Sequence, residues 1–228
     1  MARQQFDSVL VVATTNRGKL EELKALLSDL PIDVRGSSEV PVSLPNVVED
    51  GATFTDNAIK KACALAEATT MLALADDSGL EVDALQGRPG VKSARFAHAR
   101  ASDAENNAAL LAALDALGDP AAGDAGMGLG GFRARFRCVL ALVDPFTHGG
   151  APRTAEGVCE GAIVRTPRGS GGFGYDPLFV VDGIDKTMAE LAEAEKNRIS
   201  HRARAFAALL PILHAVLEER AEQVARVG

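Results

Sequence analysis

The chain has no tryptophan, one tyrosine and three cysteines among 228 residues, and the cysteines are the shortage that excludes most. Cys63, Cys138 and Cys159 are odd in number and show no CxxC or Cys/His spacing. That argues against a disulfide framework and a zinc site, and leaves three reduced core thiols. Long apolar runs are also lacking. The strongest, residues 9–13 and 139–143, fall far short of the roughly 20 residues that cross a bilayer, so no membrane span or membrane partner is expected. The first eight residues carry Arg3, Gln4, Gln5 and Asp7 ahead of only five apolar ones. A secretory signal needs about 7 to 15 apolar residues, so the expected location is cytoplasmic. Positive charge is in deficit: 24 Lys and Arg against 31 Asp and Glu give −7. Such a surface repels polyphosphates except where cations cluster locally, which argues against nonspecific nucleic-acid binding. Apolar residues are plentiful at 47%, enough to bury a core in one domain over 1–228 or in two lobes sharing a sheet.

Periodicity places the elements. Val9-Leu10-Val11-Val12-Ala13 reads as a central strand covered on both faces, and Leu20, Leu23, Leu26 and Leu27 then mark one face of a helix. Three prolines predict loop with one short strand over 31–51. A helix over 53–68 puts Phe54, Ala58, Ala62 and Leu65 on one face and Asn57 and Lys61 along its edge. A second buried strand, 71–75, is expected to stop at Asp76-Asp77-Ser78-Gly79, with another over 80–85 before the turn Gln86-Gly87-Arg88-Pro89-Gly90. A helix follows over 103–117. Residues 118–131, with six glycines and a proline, read as a flexible insertion without a site. Arg133, Arg135 and Arg137 alternate with apolar residues in a long strand, as a solvated edge outside the site. Strands over 158–164 and 178–181 and helices over 186–195 and 201–225 complete a mixed α/β order, with Pro211 kinking or splitting the last helix.

Four segments carry chemistry. Thr14-Thr15-Asn16-Arg17-Gly18-Lys19 joins strand to helix, where free N–H groups and the helix dipole favour an anion; the P-loop spacing is absent, with Leu20 where a magnesium-binding hydroxyl would stand. An ordinary helix start is the equal alternative. In Asp76-Asp77 the two carboxylates point to opposite sides of extended backbone, so that one faces a cleft and the other fixes the turn. Asp77 could hold Mg²⁺ or orient water, with Glu49-Asp50 as further carboxylates, though Asp-Asp-Ser-Gly is also a plain turn sequence. Gly171-Gly172-Phe173-Gly174-Tyr175-Asp176-Pro177 can wrap a flat base, or can plug the core. Lys196-Asn197-Arg198-Ile199-Ser200-His201-Arg202 gathers cations at a helix start that Ser200 can cap.

Taken in order, these segments resemble the inosine/xanthosine triphosphate pyrophosphatase family, over nearly the whole chain. The likeness also takes in Glu49-Asp50-Gly51-Ala52-Thr53-Phe54, Asn57-Ala58, Lys61-Ala62, Gly87-Arg88-Pro89-Gly90 and Ser93-Ala94-Arg95. Thr15 stands where the family often has glycine. The resemblance implies an elongated mixed twisted sheet flanked by helices, two lobes with an active-site cleft between them, and a homodimer. It implies Asp77 as catalytic carboxylate and magnesium ligand, with Glu49 a second metal ligand. Thr14, Thr15, Asn16, Arg17, Gly18, Lys19, Lys61 and Ser78 would hold the triphosphate of a non-standard purine nucleotide. Phe173, Gly174, Tyr175, Asp176, Lys196, His201 and Arg202 would hold the sugar and base.

The chemistry is consistent with that reading. Water attacking the α-phosphorus needs a metal and cations to neutralise the leaving pyrophosphate, and Lys19, Lys61 and Mg²⁺ suit the role. A carboxylate near its ordinary pKa is ionised at neutral pH, so Asp77 can serve as base without a large shift. The competing readings are a pyrophosphatase for pyrimidine or modified nucleotides on a related fold and a nonhydrolytic nucleotide-sensing module. A purely structural α/β domain would leave the four motifs without a purpose.

Overall fold

Five consecutive apolar residues seed the sheet. In a computed structural model, which describes residues 8–14, 16–42, 45, 47–119, 125–126 and 131–227, they lie in β1 (Ser8–Ala13), with Leu10, Val11 and Val12 fully buried. This is the pattern of a strand covered on both faces. β2 (Ile32–Gly36) and β3 (Leu72–Val82) both pair parallel with β1. The remaining strands are β4 (Ala125–Gly126), β5 (Gly131–Val143), β6 (Arg153–Ile163) and β7 (Phe179–Val181). The sheet runs β2-β1-β3-β5-β6-β7, and β4 pairs antiparallel with β5. With parallel pairs at β1 and an antiparallel β6–β7 pair, the sheet is mixed, and the fold is the expected mixed α/β.

Local sequence sets the helix starts. Asn16 caps α1 (Arg17–Leu26) by accepting from the Lys19 N–H. Reciprocal Thr53–Asp56 and Ser102–Glu105 capping boxes open α2 (Phe54–Thr69) and α3 (Asp103–Asp115). The Glu105 carboxyl is held down at about 2 by the Ser102 backbone N–H and hydroxyl, with His98 adding to the effect. α4 (Glu193–Ile199) precedes α5 (His201–Val227), and the Ser200 hydroxyl accepts from the Ala203 N–H as the cap of α5. Pro211 lies inside α5 without splitting it. Among the described residues no helix is long and apolar enough to cross a membrane.

The chain divides into two compact units: residues 1–77, 139–156 and 205–228, and residues 78–138 and 157–204. In the first, Leu10, Leu23, Leu65, Leu74, Leu140 and Leu209 are buried. In the second, Leu80, Leu110, Leu114, Phe132 and Phe179 share a core with Tyr175. Cys138 and Cys159 are buried and Cys63 is half-buried, all as free thiols; burial pushes the Cys159 thiol up to about 11.

Four expectations are corrected. Asp76-Asp77-Ser78-Gly79 is not a strand end: β3 runs through it without a break. Each carboxylate there has its own lysine, so the local turn preference is overridden by tertiary contacts. Residues 83–85 form a 3₁₀ turn where a strand was expected. Arg133, Arg135 and Arg137 do not line an edge, because β5 lies between β3 and β6. Arg137 pairs with Glu81 (3.2 Å), Arg135 with Glu160 (3.2 Å) and Asp83 (3.0 Å), and Arg133 with Asp182 (3.4 Å). This is cross-strand charge pairing on the sheet face. The helix expected over 186–195 is a 3₁₀ turn at Met188–Glu190 followed by α4. Of the stretch expected to be an insertion, 118–131, residues 120–124 and 127–130 lie outside the described residues, and Ala125–Gly126 form β4.

Gly161 of β6 sits where no side chain fits: an added Cβ would fall on the Val180 carbonyl and come within 2.6 Å of the Phe179 ring. Gly161→Ala is therefore expected to destabilise the protein by about 1–3 kcal/mol. A urea midpoint equal to wild type would contradict this packing of β6 on β7.

Candidate active site

In the first unit, an acidic constellation is built on β3 and α2. Alternation along β3 sends the Asp76 and Asp77 side chains to opposite sides, and both are buried. Lys61 lies one helical turn after Asn57 on α2, which puts both side chains on one face. Its Nζ meets Asp77 Oδ1 at 3.1 Å and Glu49 Oε1 at 3.3 Å. The other Asp77 oxygen accepts from Asn57 Nδ2 at 3.1 Å, and Asn57 Oδ1 accepts the Gly51 N–H at 2.8 Å. Asn57 thus ties the Glu49–Gly51 segment to the Asp77 carboxylate. Asp50 pairs with Lys60 instead (2.6 Å), which leaves Glu49 as the segment's partner for Lys61. Lys19 of α1 pairs with Asp76 at 2.9 Å.

The electrostatics follow from burial and from these partners. Burial pushes the Asp77 carboxyl above the ordinary carboxylate range, against the opposing pull of Lys61 and Asn57, so its environment is less ordinary than the sequence implied. Burial also pulls Lys61 down, but Asp77, Asp76 and Glu49 outweigh it, and the ammonium is held above its ordinary value.

The first loop is partly self-satisfied. Thr14 Oγ1 accepts the Asn16 N–H at 3.1 Å, and Asn16 Oδ1 accepts the Lys19 N–H at 3.1 Å. The Ser37 hydroxyl donates to the Thr14 carbonyl at 3.1 Å. Gly18 is the second residue of α1. Thr15 lies outside the described residues, as does the side chain of Arg17.

In the second unit, the residues expected to hold the base gather around Phe173. Lys196 Nζ lies 4.9 Å from the centre of the Phe173 ring and the Arg202 guanidinium 5.8 Å. Asp176 Oδ2 accepts from Lys196 Nζ at 2.8 Å and from the Phe173 N–H at 3.1 Å. Arg202, 1% exposed, donates to Ser78 Oγ at 3.3 Å. His201 is stacked on Phe136 with ring centres 4.9 Å apart. Tyr175 takes the alternative that the sequence left open. It is a core residue whose hydroxyl donates to the Ser93 carbonyl at 2.9 Å, and burial pushes that hydroxyl's pKa up. Ser93 in turn accepts the Leu80 N–H at 2.9 Å, so Ser93 and Asn57 organise the two groups without having been singled out as site residues. A buried asparagine beside Lys61 on a helix edge was the one available clue.

Among the described residues no group of three His, Cys, Asp or Glu is placed to hold a metal ion. The carboxylates of Asp77 and Glu49, which share one ammonium, are hard oxygen donors. One or two carboxylates plus phosphate oxygens and water are the usual surroundings of Mg²⁺, which does not require an all-protein cage. The donor set therefore fits a magnesium ion that arrives with a phosphate.

A mixed α/β fold in which a helix lysine bridges a carboxylate on a strand and another in the segment ahead of that helix is suited to chemistry at phosphate. Residues 10–212 match the Ham1 family, and the chain belongs to that family. A dITP/XTP pyrophosphatase of Desulforamulus reducens is 51% identical over 205 residues, covering 90% of this chain and 95% of that protein. One of Streptomyces coelicolor is 45% identical over 210 residues, covering 91% and 98%. Among solved structures, a HAM1 protein from Coxiella burnetii is similar with a TM-score of 0.79 at 42% identity, covering 91% of this chain and 99% of that one.

Asn57→Ala removes a donor from Asp77 and an acceptor from Gly51. A buried carboxylate oxygen and a half-buried N–H losing their partner is expected to lower stability by about 1–3 kcal/mol. An unchanged urea midpoint would show that Asn57 does not hold this constellation together.

Proposed function

We propose that this protein hydrolyses non-standard purine nucleoside triphosphates, dITP, ITP and XTP, to the monophosphate and pyrophosphate, and so cleanses the nucleotide pool. The observation that carries the reading is the Lys61 ammonium bridging Asp77 and Glu49, in a chain that belongs to the Ham1 family and resembles proteins named dITP/XTP pyrophosphatase. Cytoplasmic location and a homodimer are part of the same proposal and rest on the family resemblance.

In this mechanism Asp77 and Glu49 would hold a magnesium ion, which would supply charge neutralisation on the phosphate oxygens. Asp77 accepts a hydrogen bond from the attacking water, and Asn57 fixes the carboxylate in the orientation that this requires. Lys61 and Lys19 offset the charge that gathers on the departing pyrophosphate. Thr14 to Lys19 and Ser78 take the triphosphate. No enzyme-bound covalent intermediate is required, since water itself is the nucleophile.

At the base end, Phe173 offers a stacking face, and His201 and Arg202 present N–H donors to a 6-oxo purine. Adenine carries a 6-amino donor, which leaves such groups unpaired, and that mismatch is penalised in a water-poor pocket. Asp176 and Lys196 keep Phe173 and its loop in place.

The test is product analysis with ITP and ATP side by side in Mg²⁺, for wild type and Asp77→Asn. The expected products from ITP are IMP and pyrophosphate, with ATP a poor substrate. The expected loss of kcat in the folded variant is on the order of 10²-fold or more, the size of a general-base contribution. Orthophosphate and a diphosphate as products, or near-normal turnover by Asp77→Asn, would contradict the proposal. Tight ITP binding without turnover would favour the sensing module.

A further inference from the structure

The Phe173 loop lacks regular secondary structure, and a stacking ring is only as well placed as the backbone beneath it. The flanks of the loop are tied by backbone bonds, Gly171 N–H to the Ala189 carbonyl (3.0 Å) and Leu178 N–H to the Tyr175 carbonyl (2.9 Å). Between them lies Gly174, directly after Phe173, at φ 62°, a left-handed conformation that favours glycine. Both of its peptide groups are gripped by one helix. Its N–H donates to Asp103 Oδ2 at 2.7 Å, and its carbonyl accepts from Asn107 Nδ2 at 3.0 Å.

Asp103 and Asn107 are one turn apart at the start of α3, so their side chains stand on one face of the helix. Together they offer an acceptor and a donor matched to the two polar groups of a single residue. The helix that carries them is itself fixed. Its start is closed by the Ser102–Glu105 capping box, Leu110 and Leu114 are fully buried, and Asn106 bonds the Ala97 N–H (3.0 Å) and the Ala94 carbonyl (3.2 Å). Asp103 is exposed and Asn107 half-buried, so replacing them removes hydrogen bonds from the loop and leaves the core intact.

We infer that Asp103 and Asn107 are positioning residues that set Phe173 against the purine, and so determine base selectivity through Gly174. The inference rests on the assignment of the Phe173 loop to the base end of the substrate. It assigns α3 a role that Phe173, Lys196 and Arg202 do not fill, because those three supply the stacking face and its charge but do not hold Gly174.

The test uses two variants, each of which removes one of the bonds to Gly174. Asp103→Ala removes the acceptor of the Gly174 N–H. Asn107→Asp presents a carboxylate oxygen to the Gly174 carbonyl, replacing a bond with a repulsion. Three readouts are needed: steady-state kinetics with ITP and ATP, competitive inhibition by inorganic tripolyphosphate, and amide hydrogen exchange of the 172–176 peptide. Asn107→Asp is expected to raise the KM for ITP roughly tenfold and to narrow the ITP-to-ATP preference, with kcat changed less than about threefold. It is expected to speed exchange in 172–176 and to leave the tripolyphosphate Ki at the wild-type value, and Asp103→Ala is expected to change all three readouts in the same way. Asn107→Asp with unchanged KM and preference, whether or not exchange accelerates, would overturn the inference. So would a fall in kcat and a rise in tripolyphosphate Ki as large as the effect on KM, which mark general damage. Failure of wild type to release pyrophosphate from ITP would instead overturn the functional reading, and faster loop exchange would still be read separately.

Discussion

The first unit is organised around one half-buried cation. Lys61 lies within 3.3 Å of two carboxylates, and a group like this is costly in a protein interior unless its partners are fixed. Here they are. Asn57 holds the far oxygen of Asp77 and, through Gly51, the segment carrying Glu49. Replacing a buried ion pair with well-packed apolar residues is often neutral or stabilising. A second buried acid, Asp76, with its own lysine in the same strand, would add desolvation cost without return if stability were the purpose. The proposed chemistry at phosphate gives the arrangement a purpose: ammonium groups for incoming phosphate oxygens, and carboxylates for a metal and a water.

The second unit solves a different problem, which is to hold a loop without regular structure. Tyr175 anchors it to Ser93, Asp176 to Lys196, and Gly174 to α3. These contacts come from three separate parts of the chain, and each uses a residue whose type is dictated by geometry: a long buried hydroxyl, a carboxylate that accepts twice, and a left-handed glycine. Asp77 and Ser78 are consecutive residues of β3, so one strand carries both the carboxylate paired with Lys61 and the hydroxyl bonded by Arg202.

Much of this was legible in the sequence, and the gaps have physical causes. β1, α1, α2 and α3 follow from apolar period and from capping residues, which are local properties. Local preference failed at Asp76-Asp77-Ser78-Gly79, a good turn sequence in isolation, because lysines distant in sequence neutralise both acids and let β3 continue. It failed again at Arg133, Arg135 and Arg137, where alternation showed that they share a face but could not show the acids opposite them on β3 and β6. For Tyr175 the sequence left base contact and core plug open, and only the fold shows its ring in the core with its hydroxyl on Ser93. Asn57 and Ser93 were visible only as polar residues within motifs, since their work is to connect segments that are separated in sequence.

The central claim is that these residues direct water to the phosphorus nearest the sugar. Hydrolysis of ITP in ¹⁸O-enriched water, with the products separated and weighed by mass spectrometry, tests it most directly. The account predicts that the label enters the nucleoside monophosphate and leaves the released pyrophosphate unlabelled. Label in the pyrophosphate, with none in the monophosphate, would place the attack on the β-phosphorus and contradict it.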